Sequence, residues 1–394
     1  MKITFMGAGS TIFSKNVLGD TMLCEPFHYV EIALYDIDAE RLEESYILIQ
    51  ALNTAINEGR ASIRKYLGVA ERKDALRGAD FVVNAIQVGL YDPCTIIDFE
   101  VPKKYGLRQT IGDTLGIGGI MRGMRTIHVL KDFARDMEEV CPNAWFLNYT
   151  NPMAIISGYM QRYTNIKTIG LCHSVQVCVP WLLANLGIPD RLEGARYNIA
   201  GINHMAWLLD IVDKDGHDLY PEIKRLAKEK NANGKHHDMV RYDYIDKLGY
   251  YCTESSEHNA EYNAFYIKPG REDLIEKFNI PLDEYPRRCV HQIATWKEQK
   301  EKLMSGESIA HERTHEYASR IMEAMVTDVP YKIGGNVINH GAISNLPDLA
   351  CVEVPCMVDA EGIHPTYVGD LPLQLAAMNG SNIYAQMLTI EAAH

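Results

Sequence analysis

The sequence predicts an α/β fold in two parts, a parallel sheet of right-handed βαβ units over residues 1–170 and a mixed α+β part over residues 171–394. Three observations predict it. Short apolar runs alternate with helix-like segments through the first part, and a glycine turn follows directly on the first run. Near Leu171 the alternation gives way, and residues 196–212 read as two strand-like runs interrupted by Gly201-Ile202-Asn203-His204. Strand and helix patterns in alternation imply crossover connections between parallel strands.

Taken in order, residues 3–6, 31–35, 81–85, 145–147 and 168–171 read as buried strands, and residues 11–23, 39–58 and 121–140 as helices between them. The polar stretch 224–238 reads as a solvated helix end and loop, and residues 382–393 as helical. A chain of 394 residues has room for two domains or for one large α/β body with an added layer. With 47% hydrophobic and 23% charged residues it is a folded chain, neither disordered nor fibrous.

The formal net charge of -13 and the pI near 5.5 argue against a nucleic-acid partner, which would need a basic face. A small-molecule ligand is expected instead. No stretch reads as a membrane span, and Met1 to Met6 run straight into the glycine turn without room for a signal peptide. Nine scattered cysteines without paired CxxC spacing fit reduced thiols. The expected address is the cytoplasm.

The first strand feeds Gly7-Ala8-Gly9-Ser10, and Thr11 opens a helix. Glycines there let the backbone approach a pyrophosphate at the helix N-terminus, as in Rossmann-type dinucleotide sites. The third glycine of that pattern is replaced by Ile12. The second strand ends in Asp36-Ile37-Asp38, and a carboxylate at Asp36 can accept from the adenosine ribose hydroxyls, favouring NAD over NADP. Asp38 suits a helix cap. Asn84 and Asn148 each follow a buried strand and join Gly7, Gly9, Ser10, Thr11 and Asp36 as cofactor-binding candidates.

Cys172, at a strand end, and His204, in a Gly/Asn turn, are candidate metal ligands. A lone cysteine is usually packing, and a buried structural histidine accounts for His204 as readily as a ligand does. Neither has a carboxylate close by in sequence, so together they make half a metal site, open for Lewis-acid work. The segment from Tyr250 to Tyr262 is dense in proton-transfer groups.

Together these segments resemble glycoside hydrolase family 4, and within it the branch of melibiose-hydrolysing α-galactosidases. The resemblance spans Met1 to His394 and rests on GAGSTIF at 7–13, DTLGIGGIMR at 113–122, NYTNPMA at 148–154, GLCHSVQ at 170–176, AGINHMAW at 200–207 and TESSEHNAEY at 253–262. It implies a lactate/malate dehydrogenase-like architecture, with a Rossmann-like NAD-binding part followed by a substrate and oligomerisation part shortened at its C-terminus. It implies hydrolysis of α-galactosides by the NAD-dependent exception to the two-carboxylate scheme. The implied sequence is oxidation at sugar C3, loss of the C2 proton, elimination of the aglycone, addition of water and re-reduction.

Its implied cofactors are NAD and Mn²⁺ or another divalent metal, although a thiolate by itself would suggest zinc or iron. Cys172 and His204 become the implied metal ligands, and Asp113 and Asn151 the residues that contact sugar hydroxyls. Phosphosugar-cleaving relatives carry Asp directly after the metal cysteine and a Tyr base. This chain has His173 there, which argues for an unphosphorylated substrate and makes His173 a leaving-group acid candidate. Tyr251, Glu257 and His258 are the candidates for the C2 base. A homo-oligomer, dimer or tetramer, is also implied.

Three other readings share parts of this pattern. The same chemistry would act on α-glucosides or α-galacturonides. An NAD-dependent hydroxy-acid dehydrogenase would need no metal, and an NAD-sensing protein would use Cys172 and His204 only for packing.

Overall fold

The computed structural model describes residues 1–304 and 310–394. Within them twelve strands join into one mixed sheet. Its first half is parallel: β1 (Lys2–Met6), β2 (Glu31–Asp36), β3 (Ser62–Leu67), β4 (Phe81–Asn84), β5 (Trp145–Asn148) and β6 (Lys167–Gly170) lie in the order β3-β2-β1-β4-β5-β6. The order turns back between β1 and β4, so the carboxyl ends of these two strands border a crevice. Open α/β sheets bind nucleotides at that position.

The sheet is covered on both faces, which is why its parallel strands read as almost continuous apolar runs. Ile3 and Phe5 of β1 pack with Val17, Leu18, Leu42 and Ile49 from helices Thr11–Met22 and Ala39–Asn57. Met6 points the other way, into a cluster with Ile127, Leu130, Phe133 and Ile155 from helices Gly116–Val140 and Met153–Tyr163. The alternation is the two-residue period of a strand.

The second half is antiparallel. It contains β7 (Arg196–Ile202), β8 (Met205–Val212), β9 (Tyr251–Cys252), β10 (Tyr331–Ile338), β11 (Cys351–Asp359) and β12 (Gly362–Pro365). The path continues β6-β10-β11-β7-β8-β9, with β12 on β11. The junction is Asn336 of β10 opposite Gly170 of β6. One apolar core runs from Ile3 to Ile383 through both halves.

The α/β class and the five expected strands are present, and strand β3 is an addition. Ser62, Arg64, Lys65 and Leu67 of β3 are exposed, because it is an edge strand with little to bury. Helix Gly116–Val140 begins before residue 121, since its glycines pack where side chains would collide. A Cβ on Gly119 would stand 2.6 Å from the Thr114 backbone, and one on Gly118 would stand 2.8 Å from the Asp98 carbonyl. The polar stretch at 224–238 is largely helix, Tyr220–Asn233, and residues 382–393 lie in helix Leu373–Ala393.

Candidate active site

The glycine turn is built by close approach. Gly7 has φ of +86°, and a Cβ there would sit 2.7 Å from the Ala85 carbonyl oxygen. The Gly7 and Ala8 N–H groups both donate to the Tyr35 carbonyl at 3.0 Å, fixing the turn against β2. Gly9 donates its N–H to Asp36 Oδ2 at 2.7 Å, while Asp36 Oδ1 accepts from Asp38 N–H at 3.0 Å. A carboxylate has about four acceptor sites, so capacity remains for ribose hydroxyls.

Asp38 caps helix Ala39–Asn57 through the Arg41 N–H, as its position suggested. Ser10 is exposed and places no side-chain bond on helix Thr11–Met22, whose first N–H groups are left for an anion. Thr11 is tied down by the Ser45 hydroxyl at 3.0 Å.

Asn84 and Asn148 are fully buried and bind each other, Asn84 Nδ2 donating to Asn148 Oδ1 at 2.9 Å. Asn148 Nδ2 also donates to Ser157 Oγ at 3.1 Å, and the Thr150 hydroxyl donates to the Ile86 carbonyl at 2.9 Å. Their work here is to lock the loops after β4 and β5 together beneath the crevice. Asn151 follows in the second loop. Its Nδ2 donates to Asp113 Oδ2 at 3.2 Å, and its buried Oδ1 has no partner among the described residues.

Cys172, at the end of β6, and His204, in the β7–β8 turn, come together across the antiparallel junction. Glu254 joins them, and the ligand atoms of all three lie within 4.8 Å of one another. His204 has φ of +61°, a backbone geometry that is costly outside glycine and clusters at functional sites. Its Nε2 stands 3.7 Å from Glu254 Oε2. Burial works against charge on this ring, yet the Cys172 sulfur and the Glu254 carboxylate push its pKa up to about 10.

Donors arranged in that way fit a cation. Two anion-forming groups and an imidazole face one point, with the unpartnered Asn151 oxygen in the adjoining loop. The Glu254 carboxylate adds a hard oxygen to a soft sulfur and an imidazole, which widens the set toward Mn²⁺. A second possible cluster shares His204, with Asp113 and His258.

Asp113 is held ionised. Burial raises its pKa, but His258, Arg122 and His204 together bring it below the ordinary carboxylate value. Arg122 donates from Nε to the Asn151 carbonyl at 3.1 Å and lies over the Tyr285 ring at 5.8 Å. His173 is half-exposed; its Nε2 meets Glu316 Oε2 at 2.6 Å, and its ring lies 5.7 Å from that of Tyr149.

Of the other three proton-transfer candidates, Tyr251 and Glu257 are turned away from this point, and His258 reaches it only through its contact with His204. Tyr251 has no exposed surface and donates to Asp238 Oδ2 at 2.7 Å, in a network with Arg241 and Ser256. Glu257 pairs with Arg288 on the wall of a separate cavity of about 600 Å³. His258 has no exposed surface either, and both its ring nitrogens are engaged, by Glu261 and by His204. Sequence reading missed Glu254, Glu316 and Arg122. Glu254 lay in the segment already singled out, but only the fold of its loop, with φ of +67° at Glu254, decides which carboxylate turns inward.

Comparison with known proteins places the chain by family and by fold. The profile described as family 4 glycosyl hydrolase matches residues 2–188, and that of the family 4 glycosyl hydrolase C-terminal domain matches residues 199–394. The chain is 59% identical over 392 residues to an alpha-galactosidase of Bacillus subtilis (strain 168), covering 100% of this chain and 89% of that one. The crystal structure of the lplD protein of Bacillus subtilis superposes with a TM-score of 0.86 at 25% identity, covering 100% of this chain and 92% of that chain. At the level of fold, a 6-phospho-beta glucosidase from Thermotoga maritima with manganese, NAD+ and glucose-6-phosphate superposes with a TM-score of 0.76 at 21% identity, covering 100% and 89%. The expected Rossmann-like, malate dehydrogenase-like layout is present.

Proposed function

The chain belongs to family 4 of the glycosyl hydrolases, and from that premise we propose that it hydrolyses α-galactosides, using NAD in the glycine-turn crevice and a divalent ion at Cys172, His204 and Glu254. The observation that carries the reading is the meeting of these three side chains, from β6, the β7–β8 turn and the loop after β9. A hydroxy-acid dehydrogenase has no use for such a cluster.

When bound, NAD supplies a reversible hydride acceptor and the divalent ion a Lewis acid. The protein's own groups do the rest. Gly7 and Gly9 keep the turn bare for a pyrophosphate, and Asp36 is held at the crevice by the turn it braces. Asp113 and Asn151, bound to one another, offer oxygens and an amide to sugar hydroxyls. His173, with Glu316 on Nε2, keeps Nδ1 for handing a proton to a leaving oxygen.

All nine cysteines are free, which supports a cytoplasmic address. Among the described residues no helix is long and apolar enough to cross a membrane. Exposed Leu373, Tyr384 and Leu388 on the last helix support self-association. A second reading, hydrolysis of α-galacturonides, is favoured by one feature. A buried guanidinium beside Asn151, that of Arg122, matches a sugar carboxylate.

The test is release of the aryl group from an aryl α-galactoside with NAD+ and Mn²⁺ present, then with each removed. The reading expects activity to need both. Activity that survives complete removal of both overturns it.

A further inference from the structure

Resting on the metal site proposed above, we propose that His258 and Glu261 form a fixed chain behind His204, aiming its imidazole and setting its tautomer for a divalent ion; both are positioning residues. The chain begins at Glu261, whose Oε2 accepts the Thr110 N–H at 2.8 Å and whose Oε1 accepts those of Ile111 at 3.2 Å and Gly112 at 2.9 Å. Three backbone donors from one loop pin the carboxylate. Its Oε1 then meets His258 Nδ1 at 2.6 Å, and His258 Nε2 meets His204 Nδ1 at 2.8 Å.

Hydrogen-bond direction follows from these partners. A carboxylate that already accepts three backbone N–H groups is an acceptor for the ring as well, so His258 donates from Nδ1 and turns Nε2 toward His204 as an acceptor. His204 must therefore donate from Nδ1. That leaves Nε2, the nitrogen that faces Glu254, as the one to present a lone pair to a divalent ion. Thr114 agrees with the assignment. Its hydroxyl lies 3.3 Å from His204 Nδ1 and gives its own proton to Asp113 Oδ1 at 2.7 Å, so it too presents an acceptor to that nitrogen.

The same distances decide between the two candidate clusters that share His204. Two nitrogens each about 2.1 Å from one ion stand roughly 3.0 to 3.4 Å apart, at octahedral or tetrahedral angles. At 2.8 Å, His204 Nδ1 and His258 Nε2 are hydrogen-bonded partners, not co-ligands. With no exposed surface, His258 is also out of reach of a sugar. Metal-bound histidines usually give their second N–H to such a partner, and removing it costs about 10–100-fold in metal affinity.

The experiment measures Mn²⁺ affinity of the full chain by calorimetry and NAD+ affinity by fluorescence for wild type, H258L, H258N, H258Q and H204A. A glutamine carbonyl can reach and accept the His204 Nδ1–H, whereas asparagine falls short and leucine has no acceptor. H258L and H258N should lose about 10–100-fold in Mn²⁺ affinity, and H258Q should stay within about threefold, with NAD+ affinity unchanged in all. Should H258L lose NAD+ binding through misfolding, the H258N and H258Q pair decides. Wild-type Mn²⁺ affinity in H258N, or equal losses in H258N and H258Q, overturns the chain. If H204A itself binds Mn²⁺ as wild type does, the metal site fails and takes the chain with it.

Discussion

Gly9 gives its backbone N–H to Asp36 Oδ2 at 2.7 Å, so the turn after β1 and the carboxylate ending β2 act as one unit. A Cβ on Gly9 would stand 2.8 Å from that same oxygen and 2.9 Å from Arg41 Cβ. Gly9→Ala should therefore push Asp36 out of place. Local strain of about 1–3 kcal/mol corresponds to a loss of roughly 5- to 150-fold in NAD+ affinity. Fluorescence titration checks it, and Mn²⁺ affinity measured on the same protein should not move.

Glu254 and Cys172 meet His204 in the proposed metal site. Glu254→Gln keeps the shape and removes the charge, and Cys172→Ala removes the sulfur. Each should weaken Mn²⁺ binding by about tenfold or more while leaving NAD+ affinity intact. Calorimetry on both variants reads this directly. Unchanged Mn²⁺ affinity in Glu254→Gln would remove that carboxylate from the ligand set.

Asp20 ties residues 311–314 to the first helix. It accepts from His311 Nε2 at 2.8 Å, from the Thr314 N–H at 2.8 Å and from the Thr314 hydroxyl. Burial opposes its charge, but these bonds hold its pKa below the ordinary value. The unfolded chain thus binds the proton more readily, and the stability this group contributes is full above about pH 3.9 and lost as pH falls through the lower folded value. Asp20→Asn should cost about 1–3 kcal/mol at pH 7, and the gap to wild type should narrow below about pH 4. Urea unfolding at pH 7, 5 and 3.5 measures it; a gap independent of pH would contradict the assignment.

Arg122 lies over the Tyr285 ring and braces the Asn151 loop through the Asn151 carbonyl. Arg122→Ala should raise KM for an aryl α-galactoside by about tenfold, the scale of one lost charge-assisted hydrogen bond. Comparing kcat/KM of wild type on aryl α-galactoside and aryl α-galacturonide separates the two substrate readings.

Much of this was legible in the sequence where chemistry and local pattern coincide. The strands before Gly7, Asp36, Asn84 and Asn148 show as apolar runs because both sheet faces are covered. The β7–β8 turn shows as a break at Gly201 to His204. What was hidden depends on distant pairing. Strand β10 carries Gly334-Gly335 and reaches β6 only through Asn336 and Gly170, far apart in sequence. Glu254, Glu257 and Glu261 sit within one short segment. The fold sends the first to His204, the second to Arg288 and the third to the 110–112 backbone. No periodicity distinguishes three such carboxylates.

The central claim is hydrolysis that passes through loss of the sugar C2 proton, with NAD returned at the end of each cycle. Its most direct measurement is hydrolysis of an aryl α-galactoside in heavy water, with NAD+ and Mn²⁺ present, followed by NMR of the galactose released. The account predicts deuterium at C2 of the product. Galactose released at full rate with only protium at C2 would contradict it.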